Sequence, residues 1–293
     1  MLKLLKCLFF NILFINYVWA TVLVIPDNGT IVGQIQYTHS EIGETIDEVG
    51  RRFNVGYYEM TIANTHVDAV HTLVANTPLI IPSQFILPSG DKKGIVINLA
   101  EYRLYYFIPN ENLVVTFPIG IGKQGWNTPL GQTKVTAKVI NPTWHPSPDV
   151  LAAAEKMGAP IPTVFPPGKN NPLGKHVLRL GWPSYLIHGT NRMDGIGARV
   201  SAGCIRMLPD DIEYLYGLVA VGTSVRIVND PVKVGKMEGK FFVQIHPLLA
   251  EHKKDKLNVL LKDKLNMLHL NVSFNKTIIN QELTSPSGLV KKI

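Results

Sequence analysis

Residues 185–207 read YLIHGTNRMDGIGARVSAGCIRM. Tyr185 to Ile187 form a short apolar run of strand character, and His188 ends it just before Gly189. A glycine-rich loop then leads to Ser201-Ala202-Gly203-Cys204-Ile205-Arg206. A cysteine attacks only as thiolate, so it needs a base or a positive charge beside it. His188 is the candidate base and Arg206 the candidate cation. Gly203 lets a substrate come close to the backbone. The N–H groups around Cys204 are candidates to stabilise a tetrahedral oxyanion.

The cysteine count sharpens this reading. The chain has two cysteines, and Cys7 lies in a segment that reads as a secretory signal over residues 1–20. Lys3 and Lys6 open it, residues 8–18 are mostly apolar, and Val18 and Ala20 fit the −3 and −1 positions of a cleavage site. Cleavage leaves Cys204 as a lone thiol in an oxidising compartment, where it pairs between chains or does chemistry. An inert buried cysteine is the bland alternative. The apolar run resumes at 22–25, so an uncleaved membrane anchor stays open.

Outward from the motif, the pattern is of strands. Ile95, Ile97 and Leu99, then Tyr102, Leu104 and Tyr106, alternate with smaller or polar residues. Residues 113–119, 132–139, 176–180, 185–187 and 224–228 are further strands. Residues 210–219 form the one good helix, with Ile212 and Leu215 on one face and Pro209 and two aspartates at its start. Many short strands with one helix predict a mainly β domain, sandwich-like or barrel-like. Residues 141–173 are a long insertion rich in proline, glycine and asparagine, read as a flap beside the site with a short helix near 149–157. Residues 82–93 read as a linker. Residues 230–293 form a C-terminal extension whose Lys-rich end, from 251, shows no core.

Residues 37–82 form a separate small unit. Gly43-Glu44-Thr45-Ile46 opens a helix with Ile46, Val49 and Phe53 at helical spacing. Asn54-Val55-Gly56 makes a turn into a second short helix over 57–64. Leu79-Ile80-Ile81-Pro82 is an edge strand. With a strand near Gln36-Tyr37-Thr38 the order is βααβ.

The chain has 293 residues, is 46% hydrophobic and 17% charged, and carries a net charge of +7. That balance excludes wholesale disorder. The positive charge suits an anionic partner, but no basic stripe interleaved with aromatics occurs, so nucleic acid ranks last. Histidines 66, 71, 145 and 176 fall in no metal-ligand spacing, so no metal and no cofactor are expected. Trp126, Trp144 and Trp182 either line a substrate groove or belong to the core.

Together, IHGT at 187–190 and SAGCIRM at 201–207 resemble the L,D-transpeptidase family, whose signature is a His-Gly followed by S-x-G-C-[IV]-R. PIGIG at 118–122, TPLG at 128–131 and NNPLG at 170–174 agree, and the resemblance spans 94–229. Residues 37–82 resemble the LysM peptidoglycan-binding module. A LysM-like start followed by IPSQFILP is similar to the periplasmic members that attach a lipoprotein to peptidoglycan.

The resemblance implies a sandwich-like catalytic domain behind a small βααβ module. It implies that Cys204 attacks the meso-diaminopimelate carbonyl of a tetrapeptide stem, releasing D-Ala through a thioester. His188 is then the base, the Gly189 carbonyl orients its ring, and Gly203, Ser201 and Arg206 support the pocket. The acyl group passes to a lipoprotein lysine or to another stem's amine. Ala202 departs from the histidine or serine that many members carry there, which removes a polar contact. Two alternatives stay open: the same acyl-enzyme captured by water, as in a carboxypeptidase, and a non-catalytic wall-binding protein with a vestigial site.

Overall fold

The computed structural model describes residues 21–268 and 274–293, so the expected signal at 1–20, with Cys7, lies outside the described residues. The apolar run after it is a strand: β1 (Thr21–Val24) pairs antiparallel with residues 113–116. No described helix is long and apolar enough to cross a membrane.

The βααβ unit forms as the sequence indicates. After β2 (Ile31–Gly33) and β3 (Gln36–His39), helix α1 (Ile46–Arg52) starts at a capping box. Thr45 accepts the Glu48 N–H and Glu48 accepts the Thr45 N–H, satisfying two donors that a helix end leaves free. Ile46 and Val49 are buried against Val55 and Met60. Asn54, at φ 54°, turns the chain into α2 (Tyr57–Ala63), and β4 (Pro78–Ile81) returns to pair with β3.

Residues 82–93 are not a linker throughout. Gln84–Ile86 is strand β5, paired with β2, and Phe85 and Leu87 are buried against Val96, Tyr105 and Val114. The flanking proline, serine and glycine carry turn chemistry. The three apolar residues between them carry core chemistry, worth about 1.5–3 kcal/mol for each large side chain buried.

Strands β6 (Gly94–Asn98), β7 (Arg103–Phe107) and β8 (Leu113–Pro118) make an antiparallel meander. Then follow β9 (Ile121–Gly122), the long β10 (Gly131–Ile140), and the insertion with α3 (Pro148–Lys156). Next are β11 (His176–Leu180), β12 (Leu186–His188), β13 (Arg199–Ser201), β14 (Ile205–Arg206), α4 (Pro209–Leu218) and β15 (Ser224–Val228). Nine strands share one sheet in the order β1-β8-β7-β6-β15-β10-β11-β12-β14. One face packs on α4 through Ile97, Leu104, Phe117, Leu178, Ile212 and Leu215. The β2–β5 ribbon covers part of the other, so β6 and β7 are buried on both faces. This is why Val96 and Tyr105, the off-phase residues of the expected alternation, are core as well. The architecture is mainly β, as the many short strands predict.

Residues 230–293 overturn the expectation of an extension ending without a core. Strands β16 (Val232–Met237) and β17 (Lys240–Ile245) form a hairpin, helices α5 (Leu257–Met267) and α6 (Lys276–Thr284) follow, and β18 (Lys291–Lys292) joins β17. Val232, Val243, Ile245 and Leu261 are its buried core. The abundance of lysine hides an ordinary amphipathic pattern, with Leu257, Leu260, Leu261 and Leu265 at helical spacing. The layer docks through Gln244, which accepts the Ile86 N–H at 2.9 Å and donates to the Gly288 carbonyl at 2.8 Å.

Candidate active site

Strands β12 and β14 run parallel, with Ile187 opposite Ile205 and His188 opposite Arg206. Ile187 and Ile205 point into the core. Side chains alternate along a strand, so His188, Arg206 and, at the mouth of β14, Cys204 share the opposite face. The fifteen residues between His188 and Cys204 are thus bridged into one cluster by two short strands.

His188 is buried, and its Nδ1 lies 2.6 Å from the Gly189 carbonyl oxygen. A carbonyl only accepts, so Nδ1 carries the proton and Nε2 is the free basic atom. Gly189 is held by its own N–H on the His176 carbonyl at 3.2 Å, and Ile212 of α4 packs where a side chain would project. Burial pushes the imidazole pKa down to about 4; the Arg206 charge adds to this and the Gly189 carbonyl opposes it. Burial likewise pushes the half-buried Cys204 thiol up, against the Leu186 N–H and the Arg206 charge. The pair is therefore neutral at pH 7. The thiol donates to the Ser184 carbonyl at 3.4 Å and, among the described residues, makes no hydrogen bond to His188.

The turn before Cys204 is built by Ser201 and Gly203. The Ser201 hydroxyl donates to the Cys204 carbonyl at 2.5 Å and accepts the Gly203 N–H at 3.1 Å. Gly203 sits at φ 103°, a conformation that side chains disfavour. This corrects the expectation that several N–H groups around Cys204 face an oxyanion, because that of Gly203 is already engaged. The Cys204 N–H, among the described residues, has no protein acceptor. Arg206 runs beneath the loop at Gly195, and its buried Nε has no partner among the described residues. Ala202, at the position that departs from the family pattern, is exposed.

Three other fragments converge here. Thr128 donates to the Gly203 carbonyl at 2.9 Å and accepts the Gly122 N–H at 3.2 Å, tying TPLG and PIGIG to the cysteine turn. Asn171 of NNPLG fastens the root of the insertion, donating to the Pro142 carbonyl at 2.7 Å, and Gly174 lies against Gly189 and Thr190. Trp144 packs on Phe165 within the insertion at 5.1 Å between ring centroids, so it belongs to that loop's own core. Trp182 stands edge-on to Tyr185 and lines a shallow cavity of about 390 Å³ with Thr133 and Lys134.

One feature of the rim has no sequence signal. Arg199 of β13 donates to the Gly122 carbonyl at 2.9 Å, to Asn127 at 3.2 Å, and to both carboxylate oxygens of Glu251, at 2.5 and 2.9 Å. The C-terminal layer thereby reaches the edge of the site.

The L,D-transpeptidase catalytic domain family (YkuD) matches residues 92–227. The probable L,D-transpeptidase YcfS of Escherichia coli K12 is 41% identical over 232 residues, 77% of this chain and 72% of that protein. The probable L,D-transpeptidase YbiS of the same strain is 40% identical over 228 residues, 76% of this chain and 74% of its own. The solution structure of the catalytic domain of an E. faecium L,D-transpeptidase aligns with 48% of this chain and 99% of its own length, at 22% identity and a TM-score of 0.37.

Proposed function

The chain belongs to the L,D-transpeptidase family, and from that premise we propose that Cys204 is the nucleophile, with His188 its base, of acyl transfer on peptidoglycan stem peptides. The observation that carries the reading is the buried His188 whose Nδ1–H is spent on the Gly189 carbonyl, leaving Nε2 free on the face that Cys204 shares.

The thiol leaves the Ser184 carbonyl and gives its proton to His188 Nε2. The sulfur attacks the meso-diaminopimelate carbonyl, and the free Cys204 N–H donates to the oxyanion that forms. The C–N bond to D-Ala then breaks, the imidazolium returns its proton to the leaving amine, and a thioester remains. An amine attacks the thioester, loses a proton to His188, and regenerates the thiol. Gly203 keeps the approach to the sulfur open. Ser201 holds the turn, Gly189 holds the ring, and Arg206 shapes the pocket and supplies positive potential. The acceptor amine is a lipoprotein lysine or another stem's diaminopimelate. The same reading takes the chain as exported to the periplasm, with 37–82 a LysM-like unit that binds glycan.

Mass spectrometry of muropeptides after incubation with purified protein tests this. Wild type yields D-Ala and a new amide, and Cys204→Ala yields neither while remaining folded. Release of D-Ala with only a tripeptide product assigns the acyl group to water. Full activity in Cys204→Ala sinks the mechanism.

A further inference from the structure

The βααβ unit is fastened to the loop that joins His188 to Cys204. The Tyr58 N–H of α2 donates to the Gly197 carbonyl at 3.1 Å, and the Tyr57 N–H to that of Ile196 at 3.4 Å. On its other side the loop is pinned to the main sheet, the Gly197 N–H donating to the Ile119 carbonyl at 3.0 Å. Gly56 and Gly197 meet backbone to backbone: a Cβ on Gly56 would lie 2.9 Å from the Gly197 Cα. Gly197 is at φ 75°, so it is a glycine position on two counts.

Beneath this contact lies a buried ion pair. Glu59 of α2 grips Arg103 of β7 with both oxygens, at 2.7 and 2.8 Å, and neither residue is more than 3% exposed. The same carboxylate accepts the Gly56 N–H at 2.8 Å. Arg103 also donates to the Asn54 carbonyl at 3.1 Å and the Thr116 hydroxyl at 3.2 Å, and lies over the Phe85 ring. Asn54 returns a hydrogen bond to the Thr116 carbonyl at 3.2 Å. A wall-binding unit on a tether needs none of this. Two buried charges are costly to hold unless their geometry is fixed, so the pair specifies one docking position.

The consequence runs toward the chemistry. Residues 191–194 at the loop apex are exposed, whereas 195–197 are buried. Gly195 of that buried stem lies beside the Arg206 guanidinium, which would sit 2.9 Å from a Cβ at that position, and Arg206 pairs in register with His188. Building on the reading that Cys204 and His188 carry the reaction, we infer that Gly56, Tyr58 and Glu59 are positioning residues for that pair. The unit is a wall of the active site as well as a binding module, and it acts by fixing the 195–197 stem.

The test is Gly56→Ala in the full chain, assayed on a soluble tetrapeptide. Its φ is ordinary, so the added methyl acts first as a wedge against the Gly197 backbone at 2.9 Å, with tighter contacts on the Glu59 carboxylate at 3.2 Å and Pro118 at 3.3 Å. Displacing a positioned group by a fraction of an ångström to an ångström predicts a loss of roughly tenfold to a hundredfold in kcat per folded molecule, with KM within about threefold. Gly217→Ala, where a methyl meets open space, keeps the wild-type values. Wild-type kcat in Gly56→Ala, or an equal loss in Gly217→Ala, overturns the inference. Cys204→Ala in the same assay separates the two ideas, since its retained activity would sink the underlying mechanism instead. Should Gly56→Ala fail to fold, hydrogen exchange of the wild type decides. Protection of the Tyr58 and Gly197 amides comparable to β7 supports the inference, and exchange as fast as that of 191–194 overturns it.

Discussion

At the scale of single residues, burial decides how the site works. It disfavours the charged form of both partners, raising the Cys204 thiol and lowering the His188 imidazole to about 4. The resting site is a neutral pair, so in the proposed mechanism the thiolate forms as the substrate is attacked. A base whose pKa is lowered stays competent until pH falls through that lowered value. The rate on soluble tetrapeptide is therefore predicted to hold level from about pH 5.5 to 8, with its acid limb near 4. A pH profile of kcat/KM checks this, and an acid limb near the ordinary histidine value of about 6.5 would contradict it. The proposed nucleophile and base stand out in the sequence because their chemistry is written in consecutive letters, His188-Gly189 and Gly203-Cys204, and the orienting role of the Gly189 carbonyl came only from the family resemblance. Ser184 and the Arg199–Glu251 pair do not stand out. A backbone carbonyl has no letter, and 52 residues separate the two charges.

At the scale of elements, local chemistry carried far. The Gly43-Glu44-Thr45-Ile46 helix start, the Asn54 turn and the proline start of α4 each announce an element by its own end. The β5 strand and the C-terminal layer are masked by their composition, because only their periodicity, and not their average polarity, marks them as core. Phe85 to Leu87 lie between turn formers, and Leu257 to Leu265 lie among lysines. The layer is not an appendage: Lys233 of β16 reaches Glu101, and both are buried, with exposures of 1% and 0%. Removing one partner leaves a buried charge uncompensated, at a cost of about 3–5 kcal/mol. Lys233→Met is predicted to lower the melting temperature by at least about 6 °C, which calorimetry would read directly. An unchanged transition would mean that Glu101 is satisfied without it.

At the scale of the whole molecule, three units meet around one short loop. The main sheet supplies His188 and Cys204, the N-terminal unit grips residues 196–197, and Glu251 of the C-terminal layer holds Arg199 two residues before Ser201. The sequence suggests a tethered binding unit, a catalytic domain and a tail. The contacts instead join all three, through pairs such as Glu59–Arg103 whose members lie on different elements and are silent until the chain is folded. The proposed chemistry turns on one sulfur atom, that of Cys204. The most direct test is the intact mass of the protein quenched in acid seconds after mixing with a tetrapeptide stem, followed by peptide mapping. The account predicts a mass gain equal to the stem minus D-Ala, mapped to Cys204 and absent from Cys204→Ala. Release of D-Ala with no adduct on Cys204, continuing in Cys204→Ala, would contradict it.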